Sequence, residues 1–263
     1  MTAPVLVGRP LAIADVVRVA RERAPVALCP EARTRVDASR AYVERLVAEG
    51  RVVYGVTTGF GKLASVRIDA GDVRRLQRNL LVSHAIGVGT PLDTDVVRAM
   101  LLLRAQSLAI GHSGIRAEVI ELLLAFLAHG IHPVIPSQGS VGASGDLAPL
   151  AHMALPLIGE GEVEYGGGTM PAREALAAAG LAPVVLEAKE GLALINGTQA
   201  MTAIGALVLH EAQALCTVAD LAGAMSLEAL KGTVRAFDGR VVGVRPHPGA
   251  EATAANLRRL GAE

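Results

Sequence analysis

Gly139-Ser140-Val141-Gly142-Ala143-Ser144-Gly145-Asp146-Leu147-Ala148-Pro149-Leu150 is the stretch on which the reading of this chain turns. At its centre, the order Ala143-Ser144-Gly145 permits backbone chemistry. The Gly145 amide nitrogen can attack the Ala143 carbonyl carbon, because glycine carries no Cβ to block the approach. Loss of one water closes a five-membered ring, and loss of the Ser144 hydroxyl as a second water leaves an exocyclic methylene. The product is a methylidene-imidazolone, an electrophile made from the chain itself. Serine is required because its hydroxyl is the leaving group. Gly-Ala-Ser-Gly alone is also a common flexible loop, and the twelve-residue context is what raises it above that.

That context resembles the signature of the histidine and phenylalanine ammonia-lyase family, whose members form their cofactor in this way. Three further segments carry the resemblance. Tyr54-Gly55-Val56-Thr57-Thr58-Gly59-Phe60-Gly61 is similar to the family's tyrosine loop, and Leu81-Val82-Ser83-His84 to its substrate-selecting segment. Glu190-Gly191-Leu192-Ala193-Leu194-Ile195-Asn196-Gly197-Thr198-Gln199 is similar to its asparagine motif. The four occur in the family's order, with spacings like those of bacterial histidine ammonia-lyases. The resemblance covers only the N-terminal half of a family enzyme. The glutamine, arginine and glutamate that family sites draw from the other half have no counterpart here.

The resemblance implies elimination of ammonia from an aromatic α-amino acid, with L-histidine giving urocanate. A lyase or 2,3-aminomutase for another aromatic amino acid shares the signature and is the alternative. So is a non-catalytic half-length subunit or fragment that needs a C-terminal partner chain. Ammonia is a poor leaving group and the β-proton is weakly acidic, so the chemistry needs both an electrophile and a placed base. The implied electrophile is the ring from Ala143, Ser144 and Gly145, and the implied base is Tyr54. His84 would contact the substrate side chain, because one imidazole can hydrogen-bond another. Asn196 would bind a carboxylate or the cofactor oxygen, or cap the following helix. Asp146 would serve either cyclisation or capping. Family enzymes are tetramers, so a homo-oligomer is the implied assembly.

Composition sets the wider limits. At 263 residues the chain can bury a substantial core. Its formal net charge of zero argues against a dedicated nucleic-acid or anionic-membrane surface. Cys29 and Cys216 form neither a metal-ligand spacing nor a disulfide framework, which suits a reducing cytoplasm. The first ten residues lack a secretory pattern. Leu192 to Leu209 is the most apolar stretch, and its polar interruptions favour a buried helix over a membrane span. His129 and His132 lie beside glycine and proline, so no shared metal face is expected. Gly59 and Gly61 lack the P-loop ending, so no nucleotide is expected either.

With aromatic residues at 2%, alanine, leucine and valine must form the core, which suits closely packed helices. Helices are expected over Leu11 to Ala24, Thr34 to Ala48, from Asp72, from Asp93 to about Ile110, and over Ile115 to Ala128. Further helices are expected over Ser144 to Leu157, Ala172 to Ala179 and about Asn196 to Leu230. Arg51 to Tyr54 reads as a short β-branched run, and Glu162 to Thr169 as a hairpin. The fold class is mainly α. A mixed α/β region, residues 1–110, carries the tyrosine loop and His84, and the start of a long-helix bundle, residues 111–263, carries the cofactor-forming loop.

Overall fold

A computed structural model describes residues 3–59, 70–142 and 145–261. Phe60 and Gly61 of the tyrosine loop, and Ala143 and Ser144 of the signature, lie outside the described residues. Two compact units divide at 207/208.

The first unit begins with strand β1 (Val5–Val7), helix α1 (Ile13–Ala20) and strand β2 (Val26–Leu28), which pairs in parallel with β1. Both strands are three residues long, too short to leave an alternating signature in sequence. α1 is shorter than its apolar pattern suggests, because the chain must turn, with Arg23 at φ +54°, to enter β2. Helix α2 (Pro30–Ala48) starts earlier than expected. Proline is tolerated at the first helical position, where its missing N–H would have had no partner. Arg51 to Tyr54 forms no strand. The Thr57 hydroxyl accepts from the Val53 amide at 2.9 Å and donates to the Arg51 carbonyl at 2.5 Å, folding the run into a turn.

Next come helix α3 (Val73–His84), strand β3 (Val88–Pro91), helix α4 (Thr94–Ala109) and helix α5 (Ala117–His129). α5 stops at Gly130, which takes the left-handed conformation at φ +70° that glycine adopts without penalty. α4 is the centre of the core: Ala99, Met100, Leu101, Leu102, Ala105 and Leu108 are all fully buried. α1 and α5 pack against it. Each such leucine contributes about 1.5–3 kcal/mol through burial.

Strand β4 (His132–Pro133), strand β5 (Pro136–Gln138), helix α6 (Leu147–Ala154) and a 3-10 turn (Leu155–Ile158) follow. β5 pairs antiparallel with β3. The expected hairpin is present as β6 (Glu162–Tyr165) and β7 (Gly168–Pro171), with β4 on its outer edge. Helix α7 (Ala172–Ala178) and helix α8 (Glu190–Ile195) lead to helix α9 (Gln199–Ala229), which runs across the division at 207/208. Asn196 ends α8 and does not cap α9.

Among the described residues, one segment, 190–229, is long and apolar enough to cross a membrane by length and composition. It is broken between Ile195 and Gln199. The expectation of a buried helix over Leu192 to Leu209 holds in part: Ala193, Leu194, Ile195, Ala200, Ala203 and Leu207 are buried, while Met201, Val208 and Leu209 are about half exposed; beyond that stretch Leu215 and Met225 are mostly exposed. The second unit, residues 208–263, adds a 3-10 turn (Val234–Phe237), helix α10 (Gly239–Val242) and helix α11 (Pro248–Leu260). Within it Ala254 and Leu257 are buried, and Asn256 donates to Asp220 at 2.7 Å.

Candidate active site

Three of the four motifs meet because three helices do. α3, α6 and α8 pack pairwise on one another. His84 is the last residue of α3, Asp146 immediately precedes α6, and Asn196 immediately follows α8. Gln77 of α3 ties the first helix to the third, its Oε1 accepting from the Gly191 amide at 2.9 Å.

Gly145 is buried with φ +121°. A Cβ at this position would collide with the Gly197 carbonyl oxygen and lie 2.9 Å from the Gly197 carbonyl carbon. The same carbonyl accepts from the Asp146 amide at 2.7 Å. Asp146 is buried and fully occupied: Oδ1 accepts from Ser140 Oγ at 2.8 Å and Oδ2 from the Met201 amide at 2.9 Å. Its carboxylate thus joins the start of the signature to the start of α9. The Asp146 amide is spent on Gly197, and Pro149 has no N–H, so the first turn of α6 presents fewer free donors than an ordinary helix start.

His84 and Gly145 line one small cavity of about 140 Å³, walled otherwise by Ile86, Val141, Leu147 and Ala148. His84 Nδ1 lies 2.8 Å from the Leu80 carbonyl and 3.1 Å from Ser83 Oγ. A carbonyl can only accept, which places a proton on Nδ1; in a neutral ring Nε2 is then an acceptor. Gly87, three residues on, donates its amide to His152 Nε2 on α6 at 3.0 Å. By the same logic His152 is neutral, and burial lowers its pKa from the usual imidazole value. Tyr54 sits in the 54–57 turn with its ring more than half exposed. The Asn196 side chain is also exposed and has no hydrogen-bond partner among the described residues.

Several supporting residues are not among the site candidates the motifs offered, although Glu190 opens the asparagine motif. Glu190 is completely buried, and its two oxygens accept from the Arg116 guanidinium, the Arg116 amide and the Glu187 amide at 2.7–2.9 Å. Arg40 adds hydrogen bonds to the carbonyls of Gly114 and Ala188. This network fixes the approach to α8. Arg104 on α4 donates from Nη1 to the Asn196 carbonyl at 3.2 Å and to Gln199 Oε1 at 2.7 Å. A charge inside Leu101-Leu102-Leu103-Arg104-Ala105 was the sequence signal for it. A separate cavity of about 680 Å³, walled in part by His129, His132 and Glu164, contains none of the predicted site residues. His132 there meets the buried Arg98 at 3.3 Å.

The family model for aromatic amino acid lyases matches residues 11–263. Histidine ammonia-lyase of Sorangium cellulosum is 60% identical over 258 residues, covering 97% of this chain and 50% of that protein. Among solved structures, histidine ammonia-lyase of Trypanosoma cruzi superposes with a TM-score of 0.91 at 38% identity, covering 97% of this chain and 50% of that one. Tyrosine aminomutase of Streptomyces globisporus superposes with a TM-score of 0.91 at 40% identity, covering 98% and 49%. The chain spans about half the length of the curated relatives it matches.

Proposed function

The chain belongs to the aromatic amino acid lyase family, and from that premise we propose that it serves the non-oxidative elimination of ammonia from L-histidine to give urocanate. The observation that carries this reading is the placing of His84 and Gly145 on one small cavity, at the meeting of α3 and α6. Identity of 60% to a histidine ammonia-lyase supports the choice of substrate.

The cofactor in this reading is the methylidene-imidazolone formed from Ala143, Ser144 and Gly145, and it supplies an electrophile that turns the substrate amine into a leaving group. The rest falls to other side chains. His84 Nε2, left as an acceptor by the bond from Nδ1 to Leu80, takes a hydrogen bond from an N–H of the substrate imidazole. Tyr54 Oη, as the phenolate, receives the β-proton and becomes the phenol. Asn196, whose amide is unspent, holds a carboxylate or the ring oxygen. Ile86, Val141 and Leu147 give the cavity apolar walls against which the substrate's carbon framework can pack. Cytoplasmic location and assembly as a homotetramer belong to the same reading. Two unpaired cysteines, Cys29 and Cys216, support the reducing compartment.

A second reading, aminomutase chemistry on an aromatic amino acid, draws support from the tyrosine aminomutase likeness. A phenol O–H could also donate to His84 Nε2. The test is incubation of the purified chain with L-histidine, alone and mixed with the C-terminal half of the Sorangium relative. Urocanate and ammonia in equal amounts are expected. A β-amino acid product would favour the second reading, and no consumption in either mixture would contradict both.

A further inference from the structure

We infer that Arg104, which lies outside all four motifs, is a positioning residue for ring closure at Ala143-Ser144-Gly145; this rests on the cofactor reading above. Arg104 is 3% exposed, makes no ion pair among the described residues, and leaves its Nε without a partner. Burial brings the Arg104 pKa down to about 10, and burial followed by the charge of Arg104 lowers that of Lys189. Packing alone would be served as well or better by an apolar side chain of similar size, because a buried charge without a counter-charge is costly. What the guanidinium accomplishes is local. Nη1 holds the Asn196 carbonyl and Gln199 Oε1, the two residues that bracket Gly197 and Thr198. A Cβ on Gly197 would collide with Nη1 and with Gln199 Oε1, so both side chains pack directly beside this glycine. The carbonyl of Gly197 in turn takes the space beside Gly145 and accepts from the Asp146 amide. Arg104 is therefore linked through the segment at Gly197 to the residue whose nitrogen must attack.

The closure it serves forms a bond from Gly145 N to the Ala143 carbonyl carbon. The Ala143 oxygen leaves as water with the protons of the Gly145 and Ser144 amides, and a double bond forms to Ser144 N. The Ser144 hydroxyl then leaves as a second water with the Ser144 Cα proton. No oxidant or reductant is needed.

The experiment is intact mass with peptide mapping, after a fixed expression pulse, on the wild type, Arg104→Met, Arg104→Lys and Arg98→Met. Arg98 is the other buried arginine of α4, held by the carbonyls of Val19, Ala20 and Leu127, remote from the signature in sequence. Arg104→Met is expected to slow the two-water loss by at least about tenfold, since a small displacement of reacting atoms is enough. Arg104→Lys should restore part of it, with far-ultraviolet circular dichroism unchanged in both. Arg98→Met should mature as the wild type does. Equal maturation of wild type and Arg104→Met overturns the inference alone, as does equal slowing by Arg98→Met. A wild type that never loses water overturns the cofactor reading and the inference with it. If Arg104→Met does not fold, the comparison of Arg104→Lys with Arg98→Met decides.

Discussion

The Gly197 carbonyl oxygen fills the space that a side chain on Gly145 would occupy, while accepting a hydrogen bond from the next amide, Asp146, at 2.7 Å. Two motifs some fifty residues apart are thereby locked glycine against glycine. Gly145→Ala must meet both the collision and the φ of +121°, which a Cβ disfavours. It is expected to lower unfolding stability by on the order of 1–3 kcal/mol and to abolish the two-water mass deficit. Urea unfolding and intact mass on the same preparation check this. Alanine tolerated with a normal deficit would show that the approach of Gly197 is not needed.

Asp146 holds the signature loop and α9 through two accepted hydrogen bonds, to Ser140 Oγ and the Met201 amide. Asp146→Ala leaves a backbone donor without its acceptor in the buried interior and should cost about 1–3 kcal/mol. Ser140→Ala removes a single exposed-side donor and keeps the Met201 bond, so its cost should be smaller. Urea midpoints of the two variants, measured side by side, give the order. A reversed order would contradict the role assigned to Asp146.

His132 gives the fold an acid-sensitive point. Burial first, then the charges of Arg98 and Arg23, push its pKa down from 6.5 to about 4. On lowering the pH, the unfolded chain takes up a proton near pH 6.5 and the folded chain only near pH 4. Unfolding therefore binds a proton in that window. The His132 contribution is full above pH 6.5 and is lost as the pH falls towards 4. Between pH 7.5 and 5.0 it should remove about 2 kcal/mol of stability. His132→Gln should flatten this part of the pH dependence, read from urea unfolding across the range. Parallel curves for variant and wild type would mean that His132 titrates normally.

In the proposed reading, substrate choice rests on a smaller piece of geometry. His84 Nδ1 bonds the Leu80 carbonyl, and His84 lines the small cavity. His84→Leu should weaken turnover of histidine relative to phenylalanine by about tenfold or more, the scale for leaving a polar substrate group without its partner. The ratio of kcat/KM values, measured in whichever mixture is active, tests it. An unchanged ratio would place selectivity in residues beyond this chain.

Helices α1 to α7 and α9 were legible because their apolar spacing and their stops are local, whereas α8, α10 and α11 were not expected. α5 ends at Gly130 and α4 follows Asp93, as the sequence indicates. β1, β2, β3 and β5 were not, because strands of three or four residues carry no period and are defined by distant partners. The site divides in the same way. Tyr54, His84, Gly145 and Asn196 could be offered as candidates from motifs; Arg104 and Gln77 lie outside them, and these two, like Glu190 within the asparagine motif, owe their interest to what they touch 74 to 114 residues away. Asn196 as a helix cap was a reasonable reading of Ile195-Asn196-Gly197-Thr198. The break between α8 and α9 displaced it, since Gly197 is needed against Gly145 and the new helix starts only at Gln199.

The most direct test of the account is the intact mass of the purified wild-type chain, with peptide mapping across 139–150. The expected result is a deficit of two waters confined to Ala143-Ser144-Gly145. An unmodified peptide would contradict the claim that the backbone held by Gly197 and Asp146 is arranged to build the electrophile.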